Sequence, residues 1–160
     1  MGYLIRRATI EDYAGICAIL ATTDAIHHVS EPAIFLPSSE SARPLALVEQ
    51  WLADPNWAIY VADDEQQIIG VLFLTERRTP DHHLLKSRRY VVVDTLAVAE
   101  GWRSQGIGRA LMQQAEIWAK ERGIPEIELS VWEFNQRALA LYEKLGYRTT
   151  RRYMSKGIDT

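Results

Sequence analysis

The stretch VVVDTLAVAEGWRSQGIGRAL, residues 91–111, carries most of the information about the fold of this 160-residue chain. It begins as an apolar run rich in β-branched residues, starting at Tyr90, and continues into a turn that contains three glycines. Beyond the turn, apolar residues recur at the spacing of an amphipathic helix: Ile107, Leu111, Ala115 and Trp118. We therefore predict a strand covered on both faces, a glycine-rich turn and a helix that ends near Gly123.

A glycine-rich turn that opens a helix is suited to bind an anion. The first backbone N–H groups of a helix have no partner within it, and glycines leave these groups uncovered. Arg103 and Arg109 add positive charge to the turn. The sequence thus predicts a phosphate site at the start of this helix.

Two common phosphate loops do not fit the turn. A Walker A loop needs Lys followed by Ser or Thr after its second glycine, whereas Ile107 and Gly108 follow Gly106 here. A dinucleotide fingerprint needs a third small residue where this chain has Leu111, and it comes early in a βαβ unit.

A third phosphate loop does fit. Residues 103–108, Arg-Ser-Gln-Gly-Ile-Gly, match the Arg/Gln-x-x-Gly-x-Gly/Ala loop of the GNAT N-acetyltransferase superfamily, which cradles the pyrophosphate of acetyl-CoA. A second segment, NQRALALYEKLGY at residues 135–147, is similar to the N-x-x-A-x-x-x-Y-x-x-x-G-[FY] signature of the same superfamily. The two segments stand in the family's order, separated by a length that one helix and one strand fill, so the chain resembles a GNAT enzyme.

The resemblance implies a binding site for acetyl-CoA as co-substrate, with no metal. Backbone amides near Leu96 and Val98, where the strand usually splays from its neighbour, would stabilise the oxyanion of the reaction. Tyr142 would protonate the leaving thiolate, because a phenol with a pKa of about 10 keeps its proton at neutral pH. The residues assigned to the co-substrate are Leu96, Ala97, Val98, Arg103, Ser104, Gln105, Gly106, Ile107, Gly108, Arg109 and Asn135.

The implied reaction is direct transfer of an acetyl group to a primary amine, in a small molecule or at a peptide N-terminus, within a ternary complex. Two alternatives stay open: a non-catalytic acyl-CoA sensor that uses the same pocket, and an acyltransferase for a longer chain. The amine acceptor is expected to meet residues 26–43 and 75–89, where Glu31 and Glu40 could attract a cation.

Asp94 is the candidate general base. Strict alternation along a strand places Tyr90, Val92, Asp94, Leu96 and Val98 on one side, and burial in this apolar run would raise the pKa of the Asp94 carboxyl. Some relatives carry an acidic residue at this position. A structural hydrogen-bonding role for Asp94, with ordered water as the proton acceptor, is the alternative.

The remaining nucleophilic and metal-ligating residue types have ordinary interpretations. Cys17 lies on the apolar stripe of a helix and is expected to be a small core residue. His27, His28, His82 and His83 fall in stretches of weak pattern, which predicts solvated loops. Adjacent histidines rarely bind one ion, so no metal is expected at His82 and His83.

Element order and length predict a single GNAT-type domain over residues 1–160. The order is β-α-α-β-β-β-α-β-α-β, a mixed α/β (α+β) fold with a largely antiparallel central sheet and helices on both faces. The flanking predictions are strands at 3–8, 57–62, 68–74, 127–131 and 147–153, and helices starting near residues 13, 45 and 135.

Composition bounds the partners and the location. The chain has 18 Lys and Arg against 21 Asp and Glu, a net charge of −3, so the basic excess typical of nucleic-acid binders is missing. No apolar run approaches the ~18 residues that span a bilayer, and the N-terminus lacks the layout of a signal peptide. We expect a cytoplasmic protein whose partner is an amine acceptor and not nucleic acid or a membrane. Whether the protein forms a homodimer stays open.

Overall fold

The computed structural model of the chain describes residues 2–40 and 42–158. The chain divides into two compact units, Met1–Ser130 and Val131–Thr160, which we describe separately. A single domain over residues 1–160 stays a prediction.

The first unit is built on a five-stranded sheet with the spatial order β1-β2-β3-β4-β5. The first four strands form an antiparallel meander, and β5 joins β4 in parallel. The elements in chain order are β1 (Leu4–Arg7), α1 (Tyr13–Ser30), α2 (Leu45–Ala53), β2 (Trp57–Asp63), β3 (Ile68–Arg78), β4 (Arg89–Val98), α3 (Ile107–Glu121) and β5 (Ile127–Leu129). The predicted mixed, largely antiparallel sheet is confirmed. The middle strand is β3, while β4 lies between β3 and β5.

Helices cover both faces of this sheet, as predicted. One face packs on α1 and α2 through a cluster that includes Ile16, Leu20, Val48, Val71 and Phe73. The other face carries α3, whose buried stripe consists of Ile107, Leu111, Met112, Ala115, Trp118 and Ala119. Because side chains alternate along a strand, neighbouring β3 residues enter the two different layers of the core.

One local prediction about the first unit is wrong. Helix α1 continues to Ser30, so His27 and His28 are helical rather than in a loop. The Thr23 hydroxyl donates to the carbonyl of Ile19 at 3.4 Å, and His27 Nδ1 lies 2.8 Å from the carbonyl of Thr23, so both side chains find partners within the helix. The stretch that follows residue 74 was predicted as a loop or an extension of the strand, and β3 does extend to Arg78, which pairs with Arg89 of β4.

The second unit contains α4 (Gln136–Lys144), which begins and ends as its sequence indicates. The side chain of Asn135 accepts a hydrogen bond from the Ala138 N–H at 3.1 Å, and Gly146 follows the helix with a φ of +88°. The predicted strand at 147–153 is wrong, because described residues 147–158 adopt no regular structure. This segment has the β-propensity of a strand, but Arg148, Thr149, Thr150, Arg151 and Arg152 offer no apolar face to bury, and Tyr153 is 98% exposed.

Candidate active site

A β-bulge interrupts the pairing of β4 with β3 at Asp94. Phe73 of β3 lies opposite Thr95, whereas the next residue, Leu74, lies opposite Val93, so Asp94 is an extra residue in β4. A bulge bends its strand and shifts the alternation of side chains beyond it.

The bulge overturns the predicted alignment of side chains along β4. Leu96 pairs with Leu72, on the face that packs on α3, whereas Val92 pairs with Thr75, on the face that packs on α1 and α2. Tyr90 and Val92 therefore do not share a side with Leu96 and Val98.

The same bulge exposes the Asp94 carboxylate, which was predicted to be buried. Its Oδ2 accepts a hydrogen bond from the Thr95 hydroxyl at 3.1 Å. The burial on which the prediction of a general base at Asp94 rested is therefore absent.

The amides of Leu96 and Val98 point to the edge of β4 that faces away from β3. Ala99 donates its N–H to the carbonyl of Ile69 on β3 at 2.9 Å, and in an antiparallel pair the direction of the backbone groups alternates. On that other edge, β5 pairs with β4 only at Val91, Val92 and Val93. Leu96 and Val98 lie beyond this pairing, so β5 does not use their amides.

The turn after β4 is held against this same edge. The Nε of Arg103 donates to the carbonyl of Val98 at 3.0 Å, and the Gln105 side chain donates to the carbonyl of Gly101 at 3.1 Å. Ser104 and Gly106 have φ values of +64° and +85°. A left-handed conformation costs a non-glycine residue about 1–2 kcal/mol, so the surrounding contacts impose a strained path at Ser104.

The first four amides at the start of helix α3 have no hydrogen-bond acceptor within the helix. Its first internal hydrogen bond runs from the Ala110 N–H to the Gly106 carbonyl at 3.0 Å, so residues 106–109 have no acceptor within the helix. A Cβ at Gly106 would meet nothing within 4 Å, so glycine is needed there for its positive φ rather than for space. With Arg109 exposed beside them, these amides make an open, positively polarised helix end that fits a phosphate group.

The other two predicted site residues, Asn135 and Tyr142, belong to the second unit. Tyr142 is 9% exposed, and burial raises the pKa of its phenol to about 12. Its ring packs edge-on against Tyr147, with centroids 5.8 Å apart. Asn135 acts as the N-cap of α4.

The sequence comparison decides the family. The sequence model of the acetyltransferase (GNAT) family matches residues 23–147, well over half of the chain. The chain belongs to the acetyltransferase (GNAT) family. The resemblance noted from the loop at 103–108 and the segment at 135–147 is therefore confirmed, and this GNAT protein is a member of a family of acetyltransferase enzymes.

Individual relatives agree with this assignment. The N-alpha-acetyltransferase 30 of Schizosaccharomyces pombe is 32% identical over 115 residues, which cover 70% of this chain and 71% of the relative. N-acetyltransferase family 8 member 3 of Rattus norvegicus is 29% identical over 100 residues, or 62% of this chain, and the GNAT chain matches only 42% of its length. A tetramutant of the BH1408 protein from Bacillus halodurans has the same fold, with a TM-score of 0.91, 24% identity, and coverage of 97% of this chain and 99% of its own.

Within the first unit, the GNAT fold brings together all the predicted co-substrate residues from Leu96 to Arg109. Two features of this site could not be predicted from the sequence, the bulge at Asp94 and the bond from Arg103 to Val98. Neither has a local signature, because a bulge depends on the register with β3 and the Arg103 contact depends on how the turn folds back.

Among residues 2–40 and 42–158, no group of three or more His, Cys, Asp or Glu side chains is placed to hold a metal ion. No helix in the described part of the chain combines the length and apolar character needed to cross a bilayer.

Proposed function

We propose that this protein is an acetyl-CoA-dependent N-acetyltransferase that transfers the acetyl group directly to a primary amine in a ternary complex. The proposal rests mainly on two sets of backbone amides that lie close together in the first unit. One set is Leu96 and Val98 on the edge of β4, and the other is the N-terminus of α3. Bound acetyl-CoA supplies the activated acyl group and a thiolate leaving group.

Each proposed residue has a distinct task in this reaction. The N-terminal amides of α3 and the charge of Arg109 bind the pyrophosphate, and the turn from Arg103 to Gly108 positions it. The amides of Leu96 and Val98 donate to the acyl oxygen, where negative charge develops. Tyr142 donates its proton to the departing sulfur, and burial keeps that proton in place before the reaction.

The acceptor amine must lose a proton before it can attack. An amine with a pKa near 10.4 is neutral in only about one molecule in 2,500 at pH 7. We propose that Asp94 accepts this proton, directly or through a water molecule, since its carboxylate is exposed next to the edge that carries Leu96.

A thiol-release screen tests the activity itself. Purified protein is incubated with acetyl-CoA and polyamines, aminoglycosides, amino acids or peptides with free N-termini, and CoA release is followed. The name of the Schizosaccharomyces pombe relative makes α-amino groups one class to include. Binding of CoA without release of thiol from any amine would indicate a sensor, and faster release from a longer acyl-CoA would indicate a different acyl donor.

The phosphate site is tested by Gly108→Val, which we expect to weaken CoA binding at least about tenfold. A branched side chain at the second residue of α3 would crowd the amides that hold the phosphates. Isothermal titration calorimetry with CoA gives the dissociation constant. Gly108→Ala is the matched control, because the family's loop accepts alanine at this position, and it should bind nearly as well as the wild type. Unchanged CoA affinity in folded Gly108→Val would show that the phosphates bind elsewhere.

The role of Asp94 is tested by a pH–rate profile of Asp94→Asn. We expect turnover to fall several-fold at pH 7 and the deficit to shrink as the pH approaches the pKa of the amine, because more acceptor then arrives neutral. Since the carboxylate is exposed, the melting temperature should change little. A deficit that is constant with pH, or a large loss of stability, would leave ordered water as the proton acceptor.

A further inference from the structure

Gly70 is the one glycine of β3, and it lies where helix α3 approaches the sheet. A Cβ built on Gly70 would stand 3.0 Å from Ile107 Cγ2, 3.0 Å from Leu111 Cδ1 and 3.3 Å from Ala62 Cβ. Contacts of 3.0 Å are closer than carbon atoms normally pack, since their optimum lies at about 3.5–4.0 Å. The absence of a side chain at Gly70 therefore allows α3 to lie this close to β3.

The neighbours of Gly70 have little room to move away from an added methyl group. Ile107 is 1% exposed and Leu111 is 0% exposed, so both are enclosed on all sides. Close-packed interiors transmit such strain instead of absorbing it. The Ile107 and Leu111 side chains at the start of α3 would have to give way by a few tenths of an ångström.

Gly70 also pairs directly with Val98 across the sheet. It thus contacts the two parts of the proposed co-substrate site, the end of β4 that carries the Leu96 and Val98 amides and the first turn of the helix that carries the phosphate-binding amides. A residue with no side chain therefore lies where these two parts meet.

We propose that Gly70 is a positioning residue that sets the distance between the N-terminus of α3 and the Leu96–Val98 edge of β4, and thereby the affinity for CoA. This inference rests on the proposed function, because it assumes that CoA spans these two sets of amides. Gly70 itself does not contact the co-substrate in this proposal and acts through Ile107 and Leu111.

The test is calorimetric titration of CoA into Gly70→Ala. We expect the dissociation constant to rise about tenfold, because displacements of a fraction of an ångström weaken several aligned hydrogen bonds at once. Gly15→Ala is the matched control. Its new Cβ would stand 2.8 Å from Ile68 Cγ1, a fit between α1 and β3 that is at least as tight as the one at Gly70 and lies away from α3. Gly15→Ala should lower the melting temperature as Gly70→Ala does, yet leave CoA affinity unchanged.

A compensating substitution separates positioning from general damage. Leu111→Val removes the Cδ1 atom, one of the two atoms that the new methyl group would meet at 3.0 Å, so Gly70→Ala/Leu111→Val should bind CoA about threefold more tightly than Gly70→Ala. If Gly70→Ala alone does not fold, the double variant is compared with Leu111→Val and should bind CoA less tightly than Leu111→Val does.

The outcomes are distinct. Wild-type protein that binds CoA, with Gly70→Ala binding equally well, overturns the positioning role and leaves the proposed function standing. Equal loss of CoA affinity in Gly70→Ala and Gly15→Ala overturns it too, since both changes then act through stability alone. Wild-type protein that fails to bind CoA overturns the proposed function, and the role of Gly70 with it.

Discussion

Tyr142→Phe is expected to lower the rate of acetyl transfer about 10²-fold while CoA affinity and melting temperature stay close to those of the wild type. The substitution removes only the hydroxyl, and loss of a positioned proton donor costs about 10²–10⁴-fold in rate. The lower end of this range corresponds to about 2.7 kcal/mol of transition-state stabilisation. Single-turnover measurement of CoA release, with an acceptor found in the amine screen, isolates the chemical step.

The environment of Tyr142 also predicts the pH dependence of this step. Burial raises the pKa of its phenol to about 12, so the proton is retained throughout the neutral and mildly alkaline range. Any loss of kcat/KM that the wild type shows below about pH 10 should therefore also occur in Tyr142→Phe.

Tyr153→Phe provides the control for Tyr142, because it deletes the same atom from a side chain that is 98% exposed in the same unit. This variant should be indistinguishable from the wild type in rate, CoA affinity and stability. Equal single-turnover rates for Tyr142→Phe and the wild type would retire Tyr142 as the proton donor.

Glu76→Gln is expected to destabilise the fold by about 2–3 kcal/mol, which is the largest effect on stability that we predict. The Glu76 side chain is 6% exposed and sits between two guanidinium groups, that of Arg89 at 2.8 Å and that of Arg122 at 2.7 Å. Arg89 begins β4 and Arg122 follows α3, so this carboxylate ties the helix to the sheet. Removing its charge leaves two partly buried cations unpaired, and breaking a fully buried pair costs about 3–5 kcal/mol.

The pH dependence of unfolding gives an independent test of Glu76. Hydrogen bonds from Arg89, then from Arg122, lower the pKa of the Glu76 carboxyl to about 2. Its contribution to stability is thus complete above the pKa of the unfolded chain, about 4.3, and is lost as the pH falls towards 2. Wild-type protein should lose stability as the pH falls from about 4.3 towards 2. Glu76→Gln should lose less stability over the same pH range.

Glu128→Gln is the matched control for Glu76. Its ion pair with Arg88 involves side chains that are 33% and 42% exposed, so its loss should cost less than about 1 kcal/mol. For a chain of this size the two variants should differ by about 5 °C in melting temperature. Equal melting temperatures for both variants would show that the Glu76 pairs contribute no more than surface ion pairs.

Local sequence patterns were sufficient for most elements and for the recognition of the family. The stretch at 91–111 combines a β-branched run, glycines at a turn and helical spacing, and each signal acts within a few residues. The same holds for the two positive φ values at Gly106 and Gly146, which follow from the cost of a left-handed conformation for other residues. The turn from Arg103 to Arg109 between β4 and α3 was predictable for this reason.

Features that depend on the meeting of distant segments were not predictable in this way. The exposure of Asp94 depends on a bulge set by the register of β4 against β3, and propensity carries no information on register. The segment at 147–153 has the propensity of a strand, but a strand needs a partner edge and an apolar face.

The sequence by itself determined the family, the order of all elements before residue 147 and the chemistry available at the turn after β4, because these rest on neighbours along the chain. The tertiary structure alone decided which way the Asp94 carboxylate faces, that Glu76 joins Arg89 to Arg122, and that Gly70 lets α3 approach the end of β4. Each of these depends on contacts between residues far apart in sequence, and such contacts exist only once the sheet and its helices have packed.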